Sequence, residues 1–150
     1  MINSGFELSI PDDYLAELLD HPFDDIAKKA LADTAPILEA AIKKSMRASV
    51  QHPGDSDMIN SVRHNSPKET RTDAWIVNVY PSGYSQNSYS RESGGKVSRY
   101  PVSNALKAIW LNYGRAGQPA RPWLLPAVSS CQGEIMERMQ KTWEDMTGEH

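Results

Sequence analysis

The chain of 150 residues has a single cysteine, Cys131, and no long apolar run. One cysteine cannot build an internal disulfide framework, and it fits a reducing cytosol. No stretch approaches the ~20 apolar residues of a membrane-spanning helix. The first residues lack the basic and apolar regions of a signal peptide. From its length we expect one domain, residues 1–150, with no membrane association.

Motifs for catalysis, cofactors and metals are also missing from the sequence. The four histidines are scattered, and none has the i, i+4 spacing of a helical metal site. No glycine-rich phosphate-binding motif occurs. Cys131 has no adjacent base. We therefore expect no enzyme, no cofactor and no metal. A small hydrolase is a further hypothesis, supported only by unpaired serines and histidines.

Charge is distributed unevenly, although the net charge is only −3. Residues 1–36 contain eight acidic residues and two lysines, a net charge of −6. Residues 93–133 contain five basic residues and no acid, a net charge of +5. Two interpretations stay open: two solvated faces, or an acidic edge that meets the basic edge of a neighbouring copy in a ring.

Helical and strand patterns alternate along the first half of the chain. Residues 6–10 read as a short strand and residues 11–19 as a short helix. Residues 23–50 carry apolar stripes interrupted by Pro36, which predicts one kinked helix or two abutting helices. Residues 73–80 predict the clearest strand, with residues 59–64 as its partner.

Residues 81–95 are almost wholly polar and predict a long loop. We expect either a projecting loop that orders on assembly or a mobile hairpin tip, with residues 96–101 as the returning strand.

Two further helices follow in the pattern. The first has Ser103 or Asn104 as its cap and Gly114 as its stop. Its expected buried stripe is Leu106, Ile109, Trp110 and Tyr113. The last helix covers residues 127–146, with an apolar stripe of Leu125, Val128, Ile135, Met139 and Trp143. The predicted fold is therefore α+β: N-terminal helices, a small mostly antiparallel sheet with a long polar loop, and a C-terminal helix.

A proline-rich segment joins these two helices. Pro119, Pro122 and Pro126 each push the preceding residue away from helical geometry, which gives an extended, stiff path. We call residues 119–123 the strap. Arg121 and Trp123 lie on it in fixed orientations, and a rigid, basic and aromatic element suits docking better than catalysis.

This region resembles the tail-component family of long-tailed bacteriophages, small neck or tail-completion proteins that join heads to tails. The matching residues are Asn112-Tyr113-Gly114-Arg115 and Pro119-Ala120-Arg121-Pro122-Trp123-Leu124-Leu125-Pro126-Ala127. Asn112 stands where the family usually has an acid, Arg115 where it has threonine, and Leu125 where it often has a basic residue. The match covers roughly the last third of the chain.

The resemblance implies a virion structural protein, made in the host cytoplasm, that works as a homo-oligomeric ring against head-connector or tail proteins. In this hypothesis the strap fixes the last helix against the sheet. The candidate interaction residues are Arg115, Arg121, Trp123, Tyr84, Tyr89 and Arg91. The alternative is a small nucleic-acid-binding protein that uses a basic aromatic surface, with arginines and lysines of residues 91–121 among tyrosines.

Overall fold

The computed structural model describes residues 22–50 and 56–148, which form an α+β fold. The predicted strand at residues 6–10 and helix at residues 11–19 lie outside the described residues. The described elements, in chain order, are α1 (Phe23–Ser49), α2 (Ser56–Asn60), β1 (Val62–His64), β2 (Lys68–Glu69), β3 (Trp75–Ile76), β4 (Val79–Pro81), β5 (Tyr84–Ser93), β6 (Lys96–Ser103), α3 (Asn104–Tyr113) and α4 (Leu124–Thr147).

Helices α1 and α4 form the main helical layer. Of the two alternatives left by Pro36, the single helix is the one observed, because α1 runs through Pro36 for 27 residues. Asp33 accepts a hydrogen bond from Thr142 of α4 at 3.0 Å. A hydrogen bond from Lys29 and this one from Thr142 lower the pKa of Asp33, against the opposing effect of partial burial. Both helices therefore pair through polar as well as apolar contacts.

The described strands form three separate antiparallel pairs instead of one sheet. β1 pairs with β4, β2 with β3, and β5 with β6. The prediction of one continuous strand over residues 73–80 was therefore wrong, because the structure has two short strands there, β3 and β4. Pro67 has no N–H to donate where the chain passes from one partner to the other. At this point the Asn65 side chain, and not a backbone carbonyl of a partner strand, accepts a hydrogen bond from Asn78 N at 2.8 Å.

The polar segment at residues 81–95 is mostly a strand, so the prediction of a long loop was wrong. Strand β5 pairs with β6, and only Gly94 and Gly95 separate them. Both glycines have positive φ, at 60° and 75°, as the tightest hairpin turns require. Every residue of β5 except Ser85 is exposed. A strand without a buried face carries no apolar alternation, which explains why its sequence reads as a loop.

Helix α3 starts as expected but buries a different face. Ser103 caps it, accepting a hydrogen bond from Leu106 N at 3.1 Å. The stripe predicted for burial is instead partly exposed, with Ile109 at 52% and Tyr113 at 70%. The buried residues of α3 are Asn104, Ala108, Leu111 and Asn112. Trp123 of the strap packs on the face that carries Ala108 and Asn112. The spacing of apolar residues within α3 does not indicate that this face is buried.

Helix α4 also departs from its predicted stripe at its start. Leu125 is 73% exposed and Val128 is 41% exposed, whereas Ala127 and Cys131 are buried. Ile135, Met139 and Trp143 are half-buried. The ring of Trp143 lies beside that of Phe23, with 5.8 Å between their centroids. The helix therefore presents small residues to the core at its N-terminal end and larger ones towards its C-terminal end.

The hydrophobic core gathers where the strap crosses α1 and α3. Trp123 is 8% exposed, its backbone oxygen accepts from Ser45 Oγ at 2.6 Å, and its Nε1 donates to Ala108 O at 2.8 Å. The strap thus fixes α4 against helices α1 and α3, not against a sheet as expected. The core side chains around it are Ile42, Met46, Met58, Ile59, Val62, Ala108, Leu111 and Ala127.

Replacing Trp123 with alanine should lower the free energy of unfolding by about 3–5 kcal/mol, because it empties a large core site. Chemical denaturation monitored by circular dichroism measures this. Leu125→Ala is the matched control, since Leu125 is 73% exposed and should change stability by no more than about 0.5 kcal/mol. Equal effects of the two substitutions would contradict the assigned burial.

A second link joins α1 to β1. Glu39 contacts both Lys43, at 2.7 Å, and His64, at 2.5 Å. Partial burial would by itself raise the pKa of Glu39, but the hydrogen bonds from Lys43 and His64 outweigh it and lower the pKa below its ordinary value of 4.5. The charged carboxylate is therefore the form that the fold stabilises.

A lowered folded-state pKa means that Glu39 stabilises the protein fully above the ordinary value of 4.5 and loses that contribution as the pH falls through the folded-state pKa. We expect Glu39→Gln to cost about 0.2–1 kcal/mol at neutral pH. Denaturation curves should show the gap between variant and parent closing at acidic pH. A gap that widens with acid would contradict the assigned direction.

Candidate functional site

A cleft within the described residues lies between the β5–β6 hairpin, α3 and the turn before the strap. Its volume is about 840 Å³. We call it the basic cleft. Its lining residues are Met58, Asn87, Ser88, Tyr89, Val102, Lys107, Trp110, Leu111, Arg115, Ala116, Gly117, Gln118 and Arg121. None of these described side chains is acidic, although three are cationic.

Arg115 is held in place by its own turn. Its backbone N–H donates to Gln118 O at 3.0 Å, and Gln118 N donates back to Arg115 O at 2.9 Å. Gly117 supplies the positive φ of 78° inside this turn. The Arg115 Nε also donates to Gln118 Oε1 at 3.1 Å. The turn is thus closed by backbone bonds, and the guanidinium is fixed relative to it.

Trp110 forms an aromatic wall of the basic cleft. Its ring lies 4.2 Å from the Arg115 guanidinium carbon, a cation–π contact. Its side chain is half-buried and lines the cleft, so the expectation of a core residue was wrong. Stacking on the ring places the Arg115 charge at the cleft surface.

Tyr89 faces the same space from the hairpin. It is paired across the ladder with Tyr100, and their rings stack with centroids 5.5 Å apart. Each of these tyrosines is 43% exposed. The cleft therefore combines two aromatic surfaces with cations, which suits anionic groups carried on a partly apolar partner.

Arg121 reaches the cleft because the strap is bonded to α3. Its backbone N–H donates to Leu111 O at 2.7 Å. Its side chain is half-buried and lines the cleft together with Lys107 of α3. Gly114 permits this arrangement, since a Cβ there would lie 2.8 Å from Ala120 N. The close approach of strap to helix end therefore sets the spacing of the cations.

Of the six interaction residues predicted from the sequence, the structure brings three together, namely Tyr89, Arg115 and Arg121. Tyr84 and Arg91 lie on β5 outside the cleft, both exposed. Trp123 is buried in the core, so it supports the site from inside and is not itself a docking surface. Met58 lines the cleft without any signal in the sequence, because only the tertiary fold carries α2 to it.

Asn112 joins α3 to the start of α4, a role that its position in the sequence did not indicate. Its Oδ1 accepts hydrogen bonds from Trp123 N and Leu124 N, each at 3.0 Å. The first N–H groups of a helix lack partners within that helix. Asn112 satisfies them at the start of α4 from another helix. An uncharged amide oxygen therefore makes both contacts.

The described residues hold little reactive chemistry. Burial raises the pKa of the Cys131 thiol, and a protonated thiol is a weak nucleophile. No group of three or more histidine, cysteine or acidic side chains suited to a metal occurs within residues 22–50 and 56–148. The cleft offers binding groups: cations, aromatic rings and backbone.

Comparison with protein-family models, curated proteins and solved structures finds no match to this chain. Over the parts that the structure describes, none of the helices is both long and apolar enough to cross a membrane.

Asn112→Ala should destabilise the protein by about 1–3 kcal/mol, because it leaves two N–H groups at the start of α4 unpaired. Asn112→Asp is the matched control, since a carboxylate oxygen can accept the same two hydrogen bonds at neutral pH. Thermal and chemical denaturation of both variants measures the difference. A stable alanine variant beside a destabilised aspartate variant would contradict the assigned role.

Proposed function

We propose that this chain is a structural protein of the bacteriophage head–tail junction, a neck or tail-completion component. It acts by assembling into a ring and not by catalysis. In this role each copy contacts its neighbours in the ring and the adjoining head-connector or tail proteins.

The hairpin of β5 and β6 is the observation that carries this proposal. Its strands have 10 and 8 residues, and few of their side chains are buried. An isolated two-stranded hairpin is only marginally stable in water and needs packing against something else. A partner lying along the hairpin would supply that packing. This supports a protein whose ordered form is an assembly.

Exposed apolar side chains at the junction of α3 and α4 add support. Ile109 and Tyr113 are spaced i, i+4 on α3, and Leu125 follows at the start of α4. They are 52%, 70% and 73% exposed. Ile109 and Tyr113 lie one turn apart on α3, and exposed apolar groups favour association with another protein surface. The strap residues that resemble the phage family lie in the same region.

Electron microscopy of lysates in which this gene alone is disrupted tests the proposal. We expect filled heads and separate tails, which join again when the protein is supplied. Complementation with Arg121→Glu should fail while Arg71→Glu, the same charge change on the exposed turn between β2 and β3, should succeed. Intact, infectious virions without the gene would overturn the proposal.

Nucleic-acid binding is the second candidate function, favoured by the cations and aromatic rings of the basic cleft. A protein of this kind should bind single-stranded DNA with an affinity that falls steeply as salt increases. The net charge of −3 opposes it.

A further inference from the structure

We infer that the basic cleft binds the acidic N-terminal segment, residues 6–20, of a neighbouring copy of this chain. The inference rests on the proposed function, since it identifies one contact between copies in the ring. It assigns to the cleft a peptide ligand that is both acidic and apolar.

The chemistry of the cleft defines the ligand it can accept. Lys107, Arg115 and Arg121 all line this one space, and no acidic residue occurs among its described lining residues. The rings of Tyr89 and Trp110 give the same space its accessible apolar surface. A ligand matched to this cleft carries several carboxylates together with aliphatic or aromatic side chains.

The N-terminal segment of this chain has that composition. Residues 1–21 contain five acids and neither lysine nor arginine. Apolar residues are interspersed with these acids along the segment: Phe6, Leu8, Ile10, Tyr14, Leu15, Leu18 and Leu19. The segment therefore complements the cleft in charge and in hydrophobicity, and this follows from its sequence alone.

Chain length decides which copy supplies the segment. The basic cleft lies near the C-terminal end of α1, where Ser49 Oγ donates to Pro122 O at 3.3 Å. Residue 22 lies at the opposite end of the same helix, whose 27 residues span about 40 Å at 1.5 Å per residue. An extended chain covers at most about 3.6 Å per residue.

The return path to the same molecule's cleft therefore consumes about 11 residues. Counted back from residue 22, those residues end near Pro11. Four of the five acids, Asp12, Asp13, Glu17 and Asp20, lie within that stretch and cannot enter their own cleft. They can enter the cleft of an adjacent copy, and repetition of that contact gives the head-to-tail interface of a ring.

The same cations could bind the phosphates of a nucleic acid, but the cleft favours a peptide. The net negative charge of the chain repels nucleic acid and leaves a local attraction to a peptide intact. An oligonucleotide is therefore a competitor to be tested beside the peptide.

The test uses the full chain and a fluorescent synthetic peptide of residues 4–20. The receptor carries Asp12→Lys, Asp13→Lys and Glu17→Lys, so that its own segment does not compete. Fluorescence anisotropy should show saturable binding that weakens with salt. Adding Arg115→Glu and Arg121→Glu to the receptor should weaken binding by at least about tenfold.

Three controls make the result specific. Arg63→Glu with Arg71→Glu changes the charge equally at exposed positions outside both the cleft and the hairpin and should leave the affinity within about threefold. A peptide in which amides replace the acids should not bind. Circular dichroism identifies any variant that unfolds, and Arg115→Gln with Arg121→Gln then takes its place. Equal binding by all receptors, or binding of an oligonucleotide in place of the peptide, overturns the inference.

Mixing two variants separates a contact between copies from one within a copy. One chain has the lysine-substituted segment, and the other has the glutamate-substituted cleft. Each alone has a segment and a cleft of like charge, whereas their mixture has complementary pairs. We expect a complex in size-exclusion chromatography of the mixture only. No complex in the mixture overturns the assignment to a neighbouring copy.

These outcomes are independent of the particle experiment. If heads and tails stay separate without the gene but the peptide does not bind, the proposed function stands and this contact is wrong. If the peptide binds but virions form without the gene, the contact stands and the proposed function is wrong.

Discussion

The junction of Asn112 with Trp123 is the interaction on which the rest of the structure depends. The first N–H groups of α4 have no partners within their helix, and Trp123 offers no side-chain cap for them. The Asn112 amide oxygen of α3 accepts from two of these groups, while the Trp123 indole donates to Ala108 of the same helix. Ser45 of α1 donates to the Trp123 carbonyl. Three helices separated in sequence are thus held at one tryptophan whose polar atoms are all paired, so its burial carries no unpaired polar group.

This junction also shapes the basic cleft. A strap anchored at Trp123 and bonded to Leu111 must pass directly over the end of α3, and only a glycine at position 114 leaves room for it. The chain between the helix end and the strap closes as the turn that carries Arg115. Arg115 and Arg121 therefore lie on backbone that is hydrogen-bonded in its turn or to α3. Such pre-ordering reduces the conformational entropy that binding of a partner would cost.

The hairpin of β5 and β6 has the opposite character, since it is held at its base and exposed along its length. Asn104 N donates to Gly83 O and the Asn104 side chain donates to Ser82 O, so the start of α3 anchors the hairpin to the fold. Tyr89 then extends from this hairpin over the cleft. The cleft thus lies between elements that are bonded to the core on one side and a hairpin that is anchored at its base on the other.

Sequence alone determined the parts that depend on local chemistry. The helix from residue 23, the Ser103 cap, the Gly114 stop and the returning strand all follow from backbone preferences of neighbouring residues. The extended path predicted through Pro126 was wrong at its end, because α4 begins at Leu124 and includes Pro126. The sequence also singled out Tyr89, Arg115 and Arg121.

Tertiary structure decided the rest. Residues 81–95 form an exposed strand because pairing with β6, and not a buried face, holds them. The strap selects which side of α3 is buried, so Ile109 and Tyr113 stay in water while Asn112 goes inside. Trp110 lines the cleft and not the core, and its ring contacts the Arg115 guanidinium there. Such outcomes depend on contacts between residues far apart in the chain, which no periodicity within one element encodes.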